Sequence, residues 1–310
     1  MDLVRESGAE LLLHAWVARP LMEGARVAGA ILESKQGRQA IRARVVVDTS
    51  GDGDMFVQAG APFDADIDEN SIHHCINVAW LWAGVDMERW LGFVAEEPAA
   101  YKQFLDEGRA ALGLFEPPMA SWRRDVCVFM GPRYSGFSAV NLDDLNAVEA
   151  LSRDKMFELL VHYRRHAPGF AQAWVMLTAP QMGVRHSRRA GGVTPVSSAD
   201  WKAAHVHRDE IGVSPSLGPR FANVSVPYGA LVPREVENLL VAGRHVACDA
   251  SSHSFMREIP QCWLTGQAAG AAAALSVAAS VTPGTLDVAT LQAALARQGV
   301  FLRAGAHTKV

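Results

Sequence analysis

The chain has 310 residues, a formal net charge of −4 and a composition that is 49% hydrophobic and 20% charged. At about 100 to 200 residues per domain, this length predicts two domains or one large one and excludes a disulfide- or zinc-stabilised mini-domain. The composition is that of an ordinary soluble globule, and its slight acidity provides no basic field for nucleic acid or an anionic membrane.

Residues 10–49 contain three extended segments, which polar breaks separate at residues 23–24 and 35–38. Because aliphatic and β-branched segments between glycine-containing turns favour hairpins, we predict a three-segment β-meander. The third segment ends in an apolar run, residues 44–48, that is typical of a strand covered on both faces. A turn rich in glycine and aspartate follows at once, as at many ligand-binding edges.

The middle of the chain has longer polar stretches. Apolar residues at helical spacing predict a surface helix over residues 143–166. An extended segment follows and ends in a basic cluster, which a solvated strand terminus would also explain. Trp80, Trp82 and Trp90 could line a substrate pocket, although such aromatics are more often core residues.

After residue 237 the pattern becomes that of buried α/β structure. Residues 238–245 predict a short buried strand, and residues 261–279 predict a buried helix. The last predicted element is an amphipathic helix that ends at Gly299.

These changes along the chain predict its domain organisation. We expect an α/β fold in which both flanks, residues 1–61 and 229–310, form one domain. Residues 62–228 would form an α+β domain inserted between them.

Several classes of protein are disfavoured by what the sequence lacks. The four cysteines are widely spaced and form no Cys-x-x-Cys pair, so a reducing cytoplasm is the simplest compartment. No secretion signal is evident. The longest apolar stretch, residues 268–279, is shorter than the roughly 20 residues that span a bilayer, so we predict no membrane partner.

Metal binding and nucleophilic hydrolysis also have little basis. His73 and His74 are adjacent, and His205 and His207 are two apart, but neither pair has a cysteine or carboxylate arranged as in zinc sites. No Gly-x-Ser-x-Gly elbow occurs. We therefore predict no metal.

Three glycine clusters give the strongest signal, at residues 48–54, 241–244 and 265–270. Each is expected where a buried strand ends or a helix begins, the positions at which open α/β sheets bind nucleotide-like ligands through backbone amides. Gly266 and Gly270 are four residues apart on one helical face. With Ala269, Ala272 and Ala273 they form a side-chain-free stripe that would admit a flat ligand or a neighbouring strand, although tight helix packing is the plainer interpretation of this cluster alone.

Taken together, these clusters resemble a known family. The sequence blocks that carry the resemblance are ARVVVDTSGDGD (43–54), AGAPF (59–63), SRR (187–189), ENLLVAGRH (237–245) and REIPQCWLTGQAAGAAAAL (257–275). Their order and content are similar to those of FAD-dependent oxidoreductases of the glutathione-reductase-like superfamily, over nearly the whole chain.

The resemblance implies FAD as cofactor and an FAD-binding Rossmann-like domain built from the β-meander and the C-terminal strand and helices. It also implies that a helix opened by residues 267–269 points its positive end at the flavin. The cofactor-binding residues implied are Thr49, Gly51, Asp52, Gly53, Asp54, Gly243, Arg244, Gly266, Gln267, Ala268, Ala269 and Gly270.

The sequence departs from the family pattern in two places. No Gly-x-Gly-x-x-Gly turn is present, so the Rossmann-like domain is incomplete, and about a hundred residues that carry the first βαβ unit are expected before Met1. A separate chain is one source of that half; a start assigned too late and a degenerate relative are the others. Gly229 also replaces an arginine that is frequent in the family.

Candidate catalytic residues lie near the expected flavin. His253 and Arg257 precede the helix, and a histidine can move a proton while the flavin moves hydride. Arg189 is a third candidate, and with Arg188 it could clamp a substrate carboxylate. Tyr228 could donate its hydroxyl to a substrate. A loop histidine, solvent-facing arginines and a turn-packing tyrosine are the plainer alternatives.

The sequence thus predicts an FAD-dependent oxidoreductase, or the C-terminal portion of one. It would transfer hydride between the flavin and a small organic molecule that is not identified. A non-catalytic remnant or interaction subunit, which has lost its nucleotide-binding half, is the alternative.

Overall fold

The computed structural model describes residues 1–65, 75–216 and 218–303, and its architecture is mixed α/β. The strands are β1 Trp16–Glu23, β2 Arg26–Ser34, β3 Gly37–Arg42, β4 Val46–Asp48, β5 Phe63–Asp64, β6 Ile76–Asn77, β7 Trp80–Ala83, β8 Met119–Ala120, β9 Val126–Phe129, β10 Trp174–Thr178, β11 Gly183–Val184, β12 Arg189–Ala190, β13 Glu210–Ser214, β14 Val224–Pro227 and β15 Leu239–Val241. The α-helices are α1 Asp2–Ser7, α2 Asp54–Gln58, α3 Met87–Glu96, α4 Pro98–Leu112, α5 Leu142–His166, α6 Ser198–Lys202, α7 Ala250–Met256, α8 Ile259–Ala279 and α9 Val288–Arg297. Short 3-10 helices span Tyr228–Leu231 and Pro283–Thr285.

The chain divides into two compact units. The first unit contains Met1–Ala65 and Arg188–Val310, and the second contains Asp66–Ser187. In the first unit β12 pairs with β5, and β14 contributes Val224 and Val226 to its core. The segment from Arg188 to Pro227 therefore lies with the flanks, whereas the domain boundary predicted from the sequence falls at residue 228.

The first unit contains the meander, β1–β2–β3, in which all pairing is antiparallel. The third segment predicted from the sequence is in fact two strands. β3 completes the meander, whereas β4 pairs in parallel with β15, so that Val47 lies opposite Leu240. Within the described residues β15 is the one strand paired with β4, and the predicted covering on both faces is wrong for Val46 and Val47, which are half-buried.

The main core of the first unit lies between the hairpin β13–β14, the strand β15 and helices α8 and α9. Helix α8 starts two residues before the predicted position, with Pro260 in its first turn, where a missing N–H costs nothing. Its buried residues follow one face: Gln261, Thr265, Ala268, Ala269, Ala272 and Ser276. The helix is therefore one-sided rather than buried all round.

Helix α8 is also the one helix of the described chain that is long and apolar enough to cross a membrane by length and composition. The share of that stretch buried inside the structure is 28%. Its buried face, which includes Ala268, Ala269 and Ala272, belongs to the core of the first unit.

The second unit packs helices α3, α4 and α5 with an antiparallel sheet of order β10–β7–β9–β8. Trp80, Trp82 and Trp90 are 2%, 0% and 2% exposed and belong to its aromatic core, so the plainer interpretation of these residues is confirmed. Helix α5 matches the predicted one to within a residue, and its buried face includes Leu159 and Tyr163.

Candidate functional site

The candidate site lies in the first unit, at the carboxyl ends of the parallel strands β4 and β15. Asp48, the last residue of β4, is 2% exposed, and its carboxylate accepts three backbone hydrogen bonds. The donors are the N–H groups of Ser50, Met55 and Phe56, at 2.9, 3.1 and 3.2 Å. Met55 and Phe56 lie in the first turn of α2, so Asp48 satisfies the start of that helix and fixes the loop that joins it to β4.

The loop between β4 and α2 requires two of its glycines. Gly51 has φ +82° and Gly53 has φ +73°, both in the left-handed region. A Cβ at Gly51 would lie 2.4 Å from the guanidinium of Arg244, and one at Gly53 would lie 2.2 Å from the ring of Phe56. These glycines are therefore needed for packing within the protein itself.

The second strand end is bonded to the first. The N–H of Ala242 donates to the backbone oxygen of Asp48 at 3.0 Å, which continues the parallel pairing. Gly243 follows with φ +99°, and its N–H donates to Oγ1 of Thr265 on α8 at 3.1 Å. No heavy atom lies within 4 Å of the position of a Cβ on Gly243, so this backbone borders open space.

Two arginines hold the glycine loop by charge. Nη2 of Arg244 lies 2.9 Å from Oδ1 of Asp52. Arg188 donates from Nε to the backbone oxygen of Asp52 at 2.5 Å and from Nη2 to Oδ1 of Asp54 at 2.8 Å. Burial raises the pKa of Asp54 above its ordinary value, although the ion pair with Arg188 opposes this.

His245 lies beneath the loop and is fully buried. Its Nε2 is 3.1 Å from the backbone oxygen of Asp48, an acceptor, so Nε2 carries the proton in the neutral ring. The ring packs against Phe56 with centroids 5.5 Å apart. Burial lowers the pKa of His245, with the charge of Asp48 acting in the opposite direction.

The predicted catalytic residues His253 and Arg257 are placed differently. His253, on α7, is 0% exposed, and its Nε2 lies 3.1 Å from the backbone oxygen of Arg244. It thus ties α7 to the loop after β15. Arg257 follows α7, is partly exposed, and has Nη1 3.3 Å from Oε1 of Glu258. A role for either in proton transfer stays a prediction.

Arg189 is not the solvated end of a strand, which the sequence left as an alternative. It is 2% exposed and forms an ion pair with Asp64, its partner in the pairing of β12 with β5. A catalytic role for Arg189 stays a prediction, as does a substrate contact of Arg188, whose guanidinium is bonded to the glycine loop.

Tyr228 lies in the core of the first unit, 4% exposed, and its hydroxyl donates to the backbone oxygen of Pro283 at 2.9 Å. The structure gives no support to its predicted contact with substrate. Next to it, a Cβ at Gly229 would lie 2.7 Å from the side chain of Thr194. This close approach explains why glycine, and not arginine, stands at this position.

The expected helix start at residues 267–269 is wrong. Because α8 begins at Ile259, Gln267, Ala268 and Ala269 lie within the helix, and their amides are used by its own hydrogen bonding. Gln267 is exposed, and its Nε2 donates to Oε1 of Gln298 at 3.0 Å. The side-chain-free stripe of α8 also does not pack tightly against another element at its two glycines, because no atom lies within 4 Å of the position of a Cβ on Gly266 or Gly270.

Sequence reasoning did not assign three residues that hold this site together, Asp48, His245 and Thr265. Each lies inside a block that carries the family resemblance. The signal available was their position next to the glycines, but the partners of Asp48 and His245 lie up to 197 residues away along the chain.

No cluster of three or more His, Cys, Asp or Glu side chains suited to a metal ion occurs among the residues that the structure describes. His205 and His207 pack edge to face with ring centroids 4.7 Å apart. His73 and His74 lie outside the described residues. The four cysteines are free thiols.

Comparison with known proteins gives one family. A family model described as "FAD dependent oxidoreductase" matches residues 1–216 and 218–295. No curated protein matches the sequence closely enough to count as a relative.

Three solved structures show distant similarity. The myxobacterial chondrochloren halogenase CndH has 12% identity and a TM-score of 0.39, over 92% of this chain and 50% of that one. A triple mutant of the flavin-dependent brominase Bmp2 has 13% identity and a TM-score of 0.41, over 96% and 58%. A geranylgeranyl bacteriochlorophyll reductase-like protein from Thermoplasma acidophilum has 9% identity and a TM-score of 0.40, over 96% and 57%. The chain thus spans little more than half the length of these proteins.

Proposed function

This chain belongs to the family of FAD dependent oxidoreductases, and from that premise we propose that it transfers hydride between a flavin and a small organic substrate. FAD is the cofactor of the family. One observation carries the proposal: two glycine-containing loops are bonded together at the carboxyl ends of β4 and β15, the edge at which open α/β sheets bind ligands.

The residues at this edge fit a flat cofactor. Gly243 borders open space at φ +99°, and Gly266 on α8 is likewise without a neighbour where its Cβ would be. Side chains at these two positions would fill that space. We assign to Gly243, Arg244, Gly266 and the loop at residues 49–54 the holding of FAD.

The chain's own charged groups surround this edge. When bound, FAD supplies the ring that accepts or gives the hydride. The guanidiniums of Arg188 and Arg244 are already held by Asp52 and Asp54, so they need no rearrangement when negative charge develops nearby. We assign to these two arginines the stabilisation of that charge.

We assign a positioning role to His253, because its side chain is buried and its Nε2 is bonded to the backbone oxygen of Arg244. Arg257 is partly exposed and remains our candidate for a contact with an anionic group of the substrate. Arg189 is a secondary candidate for a substrate contact, since Asp64 already binds it, and Arg188 is assigned to the developing charge rather than to the substrate.

We also propose that another segment, or a separate chain, supplies the part of the FAD site that binds the pyrophosphate. The Gly-x-Gly-x-x-Gly turn that binds this group in Rossmann-like domains is absent from the sequence. The resulting assembly would complete the Rossmann-like domain of the first unit.

The test is the visible absorbance of the purified full-length protein, with its proposed partner segment, before and after addition of FAD. Gly243→Ala and Gly37→Ala form a matched pair. Both glycines have positive φ, +99° and +94°, and both border open space, but Gly37 lies in the β2–β3 turn. Each alanine therefore carries a similar backbone strain.

We expect Gly243→Ala to weaken FAD binding at least tenfold and Gly37→Ala to leave it unchanged. With FAD bound, anaerobic addition of the true substrate bleaches the flavin band. A full-length assembly that binds no FAD would overturn the proposal and favour a non-catalytic remnant.

A further inference from the structure

One edge of the sheet in the second unit is an exposed apolar strand. β10 is the outermost strand in the order β10–β7–β9–β8, and within the described residues it pairs with β7 alone. Residues 167–184, which contain this strand, include no acidic or basic side chain, and β10 itself contains no proline. Because soluble proteins protect such edges with charges, prolines or covering elements, this bare edge indicates a contact surface.

Helix α5 lies beside β10 and runs antiparallel to it. Nη1 of Arg153 donates to Oγ1 of Thr178 at 3.2 Å, and Nε of Arg164 donates to the backbone oxygen of Ala173. The two arginines are eleven helical residues apart and their partners are five strand residues apart, and both separations span about 16 Å. The middle of this stretch of α5 therefore lies level with Met176.

Five large apolar side chains are exposed between these two contacts. On α5, Phe157 and Val161 follow Arg153 at four-residue spacing and so share its helical face. We call the exposed set the β10–α5 patch, and its members are 46% to 57% exposed: Phe157, Val161, Trp174, Met176 and Leu177. A continuous apolar patch of this kind on a protein surface marks a site of protein–protein contact.

Two charged residues flank the patch on α5. Asp154 and Arg165 are exposed, and neither forms an ion pair within the described chain. Phe157 and Val161 lie between them at spacings of three, four and four residues, so the four residues occupy one helical face. With its acid at one end and its base at the other, this face is complementary to a second copy of itself in antiparallel orientation.

We propose that the β10–α5 patch joins two copies of this chain about a two-fold axis, which passes between Phe157 and Val161 and beside Met176. Asp154 of each copy then pairs with Arg165 of the other. Because α5 and β10 are level at this point, one axis serves both elements, as a contact between identical surfaces requires. An extra residue within β10 interrupts its ladder, so side chains make the contact rather than a continuous sheet.

The test is sedimentation velocity of the full-length protein, with the partner segment proposed above, over a range of micromolar concentrations. We expect a dimer of the chain. Met176→Lys places two like charges at the axis, and Phe157→Glu places a carboxylate in the apolar contact, so each should raise the dissociation constant of the dimer at least tenfold. Both side chains are half exposed in the single chain, so circular dichroism and FAD content should stay those of the parent.

Charge reversal tests the orientation of the two copies. Asp154→Arg and Arg165→Asp should each weaken the dimer, because like charges then meet across the axis. The double variant, which carries both reversals, should recover most of the affinity. These two residues are too far apart on α5 to pair within one copy, so the recovery requires a pair between copies.

Trp122→Ser is the control. Trp122 is more exposed than any member of the β10–α5 patch but follows β8, at the opposite edge of the sheet, so its replacement should leave the dissociation constant unchanged. A full-length assembly with a single copy of the chain at every concentration would overturn the proposal. So would an equal effect of Trp122→Ser and Met176→Lys, or a double charge reversal that recovers no affinity.

Discussion

Thr265 joins helix α8 to the end of β15: its Oγ1 accepts the N–H of Gly243 at 3.1 Å. The same hydroxyl donates back to the helix, to the carbonyl of Gln261 at 2.9 Å. Both bonds are made by a side chain that is 0% exposed. The candidate site is therefore coupled to α8 through a buried side chain in the second turn, and not through the free N–H groups at the start of the helix.

This coupling predicts the effect of Thr265→Val, which keeps the shape of the side chain and removes its hydroxyl. The half-buried N–H of Gly243 loses its acceptor, so the free energy of unfolding should fall by about 1–3 kcal/mol. Urea denaturation measures the loss, and FAD binding should weaken with it. Thr265→Ser, which retains the hydroxyl, should keep most of the stability and most of the FAD affinity. An equal loss of stability in Thr265→Val and Thr265→Ser would show that packing alone matters.

Asp48→Asn should lower the free energy of unfolding more than Thr265→Val does. The carboxylate accepts from three N–H groups, those of Ser50, Met55 and Phe56, whereas an amide offers one oxygen and adds a donor of its own. We expect a loss of about 2–4 kcal/mol in the free energy of unfolding, measured by urea denaturation.

The control for Asp48→Asn is Asp287→Asn, at the exposed N-cap of α9, where one backbone N–H, that of Thr290, is bonded. Its loss of stability should be clearly smaller, because water can replace the side-chain oxygen there. Similar losses in the two variants would contradict the capping role that we assign to Asp48.

Local patterns predicted the long elements well. The spacing of apolar residues predicts the start of α5 to within one residue and that of α8 to within two. This is possible because the apolar periodicity of a helix is a local property of neighbouring residues. The meander was also predicted, since each of its turns contains a glycine.

The pairings between distant segments could not be predicted. Nothing near β4 indicates that Val46 pairs with Leu239, and the contact of Arg188 with Asp54 spans 134 residues. For the same reason the sequence shows where the glycine clusters are, but it does not show what each glycine does. Gly51 makes room for Arg244, whereas Gly243 and Gly266 border open space.

Gly266→Ala and Gly270→Ala separate a cofactor contact from a packing contact. Both positions are interior to α8 and have no neighbour within 4 Å of a Cβ, so each alanine should stabilise the cofactor-free protein by about 0.5–1 kcal/mol. If the flavin lies against this face, the same variants should weaken FAD binding. Thermal unfolding without FAD and titration with FAD measure the two effects; unchanged FAD binding would show that the cofactor lies elsewhere.

His245 should make stability depend on pH. Burial lowers its pKa below the ordinary value of 6.5, so the unfolded chain binds a proton at higher pH than the folded chain does. Stability rises with pH wherever the unfolded state holds more protons, so the contribution is complete above about pH 7 and is lost as the pH falls through 6.5 toward the folded pKa.

His245→Gln keeps a donor for the backbone oxygen of Asp48 but cannot titrate. It should therefore flatten the dependence of the unfolding free energy on pH between about 5 and 7, by up to about 1.4 kcal/mol per pH unit. A smaller slope should remain, because burial also lowers the pKa of His162 and of His207. Urea denaturation at a series of pH values measures these slopes, and an unaltered slope in His245→Gln would mean that folding does not change the pKa of His245.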